Sequence, residues 1–369
     1  MKYFCNFIRI RRSRLCLNSV LWILFFNLIN MPDTRALVVD DLNVARVLTA
    51  EKGSIGLESG AQEGLLQVII KASGSPDAQN NSVVLESLKG ANRMYYQYSF
   101  STTDQFLEVD EKKVPAWQLT LHFDMRAVNR VLKQAGLPEW GKNRPVVLVW
   151  LAVNEGRGSY LMGSEDESEI KASLDREAGR RGLPLIYPLL DLEDTAAVSE
   201  RDIGKRSLDK IEEASERYHP DAILVAEMTK QNGRKWSSNW QYKPGDRWLG
   251  IGRKQIDLEI LTAEMIDRLA NELASLYAHG GEESHIWVKV EDLASVKDYA
   301  GMSQYMESLS MVQMAFVEQV EANAAWYRMK ITGNRNQLIE TMALDRRIRL
   351  VDSGDGMSRD TAIVYRWAD

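Results

Sequence analysis

Strands that alternate with helices place this chain in the α/β to α+β class, and its length allows several small domains. Three observations carry that expectation. Val146-Val147-Leu148-Val149-Trp150-Leu151 is apolar without interruption, as in a strand covered on both faces. Trp117, Leu119, Leu121 and Phe123 alternate with Gln118, Thr120 and His122, the period-two pattern of a strand with one buried side. Ala61, Leu65, Val68, Ile69 and Ala72 recur at helical spacing.

The first element is a leader. Lys2, Arg9, Arg11, Arg12 and Arg14 precede the charge-free run Leu15 to Met31, and Thr34-Arg35-Ala36 follows. A basic segment, an apolar segment and a small residue in that order predict a signal peptide over residues 1–36. The alternative is an anchor through residues 15–31, at the short edge of the ~17–25 residues that span a bilayer. Either way the body works outside the cytoplasmic membrane, and the expected location is periplasmic. Both cysteines, Cys5 and Cys16, lie in the leader, so cleavage leaves no thiol for a disulfide or a Cys-ligated zinc.

Residues 1–36 hold six of the 46 Lys and Arg and one of the 52 Asp and Glu, so the remainder carries a formal charge of −11. That acidity argues against nucleic acid as a partner, and against a membrane partner for the body if the leader is removed. The rest, at ~100–200 residues per domain, makes two or three domains.

Residues 37–142 read as an N-terminal α/β domain. A strand runs from Val38 to Leu48, and a helix ends at Gly74-Ser75-Pro76. A helix from Val83 to Met94 leads into Tyr95-Tyr96-Gln97-Tyr98. The Trp117 strand follows, and then a helix from Met125 to Gln134 stopped by Gly136 and Pro138.

Residues 143–280 read as a middle α/β domain. Its expected strands are Val146 to Leu151, Leu183 to Leu190 and Ala222 to Ala226, with helices at about Glu167 to Arg180 and Asp202 to Tyr218 between them. Asn232-Gly233 marks a hairpin into Trp236 to Tyr242, and a long helix from Ile256 to Tyr277 closes the domain.

Residues 281–369 give strand, helix, two strands, helix, then Ile348 to Val351 with Ala362 to Trp367. This is a ferredoxin-like βαββαβ order with one extra hairpin strand.

The sequence predicts no catalytic residue, no cofactor and no metal. A nucleophile elbow Gly-x-Ser-x-Gly is absent. Of the four histidines, His122 falls on the polar side of its strand and His219 precedes Pro220 in a turn. His279 and His285 flank Glu282 and Glu283 at a spacing that fits a connector better than zinc. Gly156, Gly158 and Gly163 lack the Lys-Ser/Thr of a phosphate loop and read as a strand turning back. Asp352 to Gly356 reads as a hairpin turn, since its acids miss the calcium-loop positions. Glu165, Asp166, Glu167 and Glu169 suit a helix N-terminus.

Trp236, Trp240 and Tyr242 share one side of a strand, with Trp248 just beyond. Exposed, they would form a surface for a partner protein or a cell-wall glycan; buried, they are the core beneath a helix.

The chain resembles the exported bacterial family catalogued as domain of unknown function 2066. The resemblance rests on the leader, on Gly64 to Gly74, on Arg181-Gly182-Leu183-Pro184-Leu185, on Ala214-Ser215-Glu216-Arg217-Tyr218, on the Trp236/Trp240 strand and on Tyr365-Arg366-Trp367. The middle domain is similar to the N-terminal α/β domain of Tol-system propeller proteins and of penicillin-binding-protein activators. These resemblances imply no catalytic residue and a protein that docks onto others in the envelope. The sequence thus predicts a non-enzymatic adaptor, with a glycan- or peptidoglycan-binding module on the Trp236/Trp240 strand, or an enzyme of unidentified class, as alternatives.

Overall fold

The computed structural model describes residues 39–368, apart from 110, 157, 232–234, 246 and 282. The leader, its cleavage point and the Asn232-Gly233 turn lie outside the described residues. The rest of the chain is a mixed α/β arrangement of three sheets within one compact unit, Ala36–Asp369.

The first sheet is antiparallel in the order β1 (Val44–Thr49), β3 (Lys112–Phe123), β2 (Tyr95–Val109). Leu119, Leu121 and Phe123 are buried beneath helix α1 (Ser54–Ser73), as the alternation predicts. Gly60 and Gly64 let α1 lie close to the sheet. A Cβ on Gly64 would stand 2.9 Å from Leu121 Cδ1 and 3.1 Å from Ala45 Cβ. Gly74, in the left-handed region at φ 67°, ends the helix. Helix α2 (Ser82–Leu88) is capped by Asn81, which accepts from Val83 and Val84 N–H. It stops short of the expected Met94. Helix α3 (Met125–Ala135) follows β3 and ends at Gly136.

The middle sheet runs β5 (Ser159–Met162), β4 (Val147–Asn154), β7 (Ala222–Lys230), β8 (Lys235–Lys243), β9 (Leu249–Asp257). The two-residue strand β6 (Leu185–Ile186) also pairs with β4, so the expected Leu183 to Leu190 strand is far shorter. Strands β4 and β7 are parallel, and β5 folds back antiparallel on β4 through the Gly156 and Gly158 turn.

The unbroken apolar run is explained by cover on both sides. Val147, Val149, Leu151 and Val153 face α4 (Glu169–Arg181) and α8 (Leu258–Tyr277). Leu148, Trp150 and Ala152 face α5 (Leu192–Ala197), α6 (Glu200–Lys205) and α7 (Leu208–Ser215). The single helix expected from Asp202 to Tyr218 is broken at Arg206, which adopts φ 59°.

The third sheet has the order β11 (Val312–Glu321), β12 (Ala324–Thr332), β10 (Glu283–Glu291), β14 (Ile363–Trp367), β13 (Ile348–Asp352). Helices α9 (Val296–Ser308) and α10 (Arg335–Ala343) supply Met302, Met306, Leu338 and Met342 to its core. Strand β14 lies between β10 and β13, parallel to β10.

Two arginines tie the first sheet to the middle one. Arg144, fully buried and 3.8 Å from the Trp140 ring centroid, donates to Lys71 O at 2.7 Å and to Trp140 O at 2.8 Å. Arg181 donates to Gly74 O at 2.8 Å and pairs with Asp267. Both guanidinium groups sit at the C-terminal end of α1, where unpaired carbonyls and the helix dipole favour positive charge.

Candidate functional site

A long antiparallel arm, β2 and β3, leaves the first sheet with little of β2 buried. β2 is the terminal strand, and no described strand pairs with its outer edge. A free edge normally carries Lys or Pro against unwanted pairing, yet β2 has neither; its charges are Asp104 and Glu108.

The side chains it shows to solvent are apolar and aromatic. Tyr96 is 65% exposed, Phe106 62% and Tyr98 49%. The tyrosines are ordered by their neighbours. Tyr95 and Tyr98 meet edge to face at 5.8 Å, Tyr98 and Phe100 at 6.1 Å, and Asn43 Nδ2 donates to Tyr96 Oη at 3.2 Å. Partial burial raises the Tyr95 hydroxyl above its ordinary pKa, so it stays protonated.

Between the far end of the arm and the start of α1 lies a groove of about 480 Å³, lined by Leu48, Ile55, Val109 and Val114 among others. Ile55 stands exposed at its rim. Lys52 Nζ lies over the Trp117 ring on β3, 3.7 Å from its centroid. Unpaired backbone groups along β2 accept an extended strand, and the groove accepts an apolar side chain. The arm carries no signal in the sequence, because β2 lacks the alternation that marks a half-buried strand.

Trp236, Trp240 and Tyr242 are a correction. They are 4%, 1% and 5% exposed and form part of the core shared with α4 and α8. Trp240 and Tyr242 stack on each other at 5.3 Å, with no free ring face for a sugar. Trp248 is half-buried against the core on the opposite side of the sheet. The period-two aromatics thus serve a sheet covered by helices, and no glycan platform exists on this strand.

The histidines are dispersed. His279 is buried, its backbone paired with Glu139, and burial pulls its pKa down to about 4. His285 is exposed on β10, His219 is exposed in its turn, and His122 is half-buried beside Tyr96. Among the described residues no group of three or more His, Cys, Asp or Glu is placed to hold a metal. The Asp352 to Gly356 segment is not a hairpin turn but opens the ten-residue connection 353–362 between β13 and β14, with Arg335 donating to Gly354 O. Glu169 lies in the first turn of α4, after the cap Ser168.

A second cavity, about 580 Å³, opens at the carboxyl ends of β4 and β7 and is lined by Glu155, Ser168, Glu169, Lys230, Asp257 and Glu259 among others. Ligands of α/β sheets favour that edge. Here the carboxylates outnumber the one lysine, so it is unsuited to an anion. No described helix is long and apolar enough to cross a membrane.

The family model "Domain of unknown function (DUF8605)" matches residues 36–141, the segment that builds the first sheet and its arm. It is a different family from the one the sequence resemblance suggests. No curated protein matches. Among solved structures, the chain is similar to selenomethionine-substituted Kluyveromyces lactis allophanate hydrolase at 7% identity and a TM-score of 0.16. That alignment covers 75% of this chain and 66% of the hydrolase, less than two thirds of its length.

Proposed function

We propose that this chain is an exported, non-enzymatic adaptor that docks onto another envelope protein through the β2–β3 arm. The observation that carries the reading is the free β2 edge, which exposes Tyr96 and Tyr98 near one end and Phe106 towards the other, where the apolar groove at Val109 lies. The occupant is an extended segment of the partner. Its backbone pairs with β2, and one of its apolar side chains fills the space between Ile55 and Val109. The leader supports export, and so does the resemblance to the exported family 2066.

Three domains are the natural division under this reading, one per sheet. The last is a ferredoxin-like unit with β14 inserted between its first and fourth strands. The middle one is of the kind found in Tol-system propeller proteins.

The test is site-specific photocrosslinking in the intact cell. A photoreactive residue at Phe106 or Tyr98 should give one discrete adduct, and the same residue at Leu192, exposed at 90% but on α5, should give none. Phe106→Lys should abolish the adduct formed from Tyr98 while leaving the circular dichroism unchanged. Equal labelling from all three positions, or none from the arm, would end the adaptor reading. Sequencing the N-terminus in the same sample should find Leu37 first.

A further inference from the structure

We propose that β11 pairs with β11 of a second copy of this chain, antiparallel about a two-fold axis at Phe316. β11 is the terminal strand of the third sheet, and no described strand pairs with its outer edge. Its outer N–H and C=O groups call for another extended strand.

Two bulges decide which side chains face which way. The ladder to β12 slips between Val312 and Met314 and again between Val317 and Gln319. As a result Val312, Ala315, Val317 and Val320 all align with the buried row Ile331, Met329, Tyr327 and Ala325. Counted from Phe316, these residues lie one and four positions away on either side. The core-facing pattern of β11 is therefore symmetric about Phe316. Val317 and Val320 remain 48% and 58% exposed, although Tyr327 and Ala325 beside them are at most 1% exposed. The core row ends in an uncovered apolar stripe.

The sequence repeats that symmetry. Val312-Gln313-Met314-Ala315-Phe316-Val317-Glu318-Gln319-Val320 reads almost the same in reverse: Ala315 and Val317 are both apolar, and only Met314 and Glu318 differ in kind. About a two-fold axis Val312 faces Val320 of the second copy, Ala315 faces its Val317, and the two Phe316 rings meet. Glu318 stands opposite Met314, so like charges are never opposed. An isologous contact requires this self-complementarity, and an unrelated partner strand would not. The pairing joins two five-stranded sheets into one continuous sheet and covers the valine stripe from both copies.

The experiment uses the full chain with Cys5 and Cys16, its two native cysteines, changed to serine. Directly opposed residues in an antiparallel pair have Cα atoms ~4.5–5.5 Å apart, within disulfide reach. Phe316→Cys should therefore crosslink to a dimer under mild oxidation. Val320→Cys should not, because its mate lies eight residues along the strand, roughly 27 Å away at ~3.4 Å per residue. Sedimentation of the unmodified chain should give twice the monomer mass, and Val317→Lys should halve it with the circular dichroism unchanged. A monomer at tens of micromolar would overturn the proposal, as would equal crosslinking at the two positions. Adducts from the β2 arm do not depend on this result, so failure here leaves the adaptor reading standing.

Discussion

The indole N–H of Trp150 donates to Ser215 Oγ at 3.0 Å, across 65 residues of sequence, in a site closed to water. Ser215 Oγ in turn donates to Ile211 O at 2.6 Å, so α7 and β4 share one continuous hydrogen-bonded chain. Ser215→Ala leaves a buried N–H without an acceptor, which costs about 1–3 kcal/mol. Urea unfolding should show a lowered midpoint with an unchanged slope. Ser215→Thr, which keeps the hydroxyl, should recover part of the loss.

Trp240→Ala should lower stability by about 3–5 kcal/mol, the cost of emptying a large buried site. Thermal unfolding followed by fluorescence checks it. A surface platform would predict the reverse, with the fold intact and only glycan retention lost.

His279 makes stability depend on mildly acidic pH. Burial holds its folded pKa near 4, against an ordinary 6.5, so below pH 6.5 the unfolded chain binds a proton that the folded chain refuses. Stability is therefore lost as the pH falls from 6.5 toward 4, by about 3 kcal/mol at ~1.4 kcal/mol per pKa unit. Urea midpoints at pH 7 and pH 4.5 should drop further for the unmodified chain than for His279→Gln.

The glycines of α1 and α4 should respond in opposite directions. Gly64→Val forces a side chain against Leu121 and Ala45 and should cost about 2 kcal/mol. Gly179→Ala, where an added Cβ meets nothing within 4 Å, should raise stability by about 0.5–1 kcal/mol. Paired urea titrations of the two variants decide both signs.

Where burial writes a period into the sequence, the elements are readable in advance. β3, β4, α1 and α3 each have one consistently covered side, or two, and α3 is found close to its expected limits, while β3 starts earlier at Lys112, α1 starts earlier at Ser54 and β4 runs on to Asn154. β2 escapes beyond Tyr98 because exposed strands need no alternation. β9 escapes because Gly250, Gly252, Arg253 and Lys254 carry no apolar rhythm. The break at Arg206 has no signal, since a left-handed arginine replaces the usual glycine. The Trp236 strand is legible as a strand; which side meets a helix is settled by the distant α8. The place of β14 depends on pairing between residues 75 positions apart, such as Val288 with Ile363, and local pattern is blind to it.

Segment 36–141 carries a matching family model, yet its longest helix is finished by donors from outside it. Lys71 O and Gly74 O receive the guanidinium groups of Arg144 and Arg181. Moved into another protein by gene fusion, the segment would arrive with a helix end that nothing closes. A transplant cut at 141 should therefore be less stable than the same segment within the full chain, because Arg144 and Arg181 no longer close that helix end.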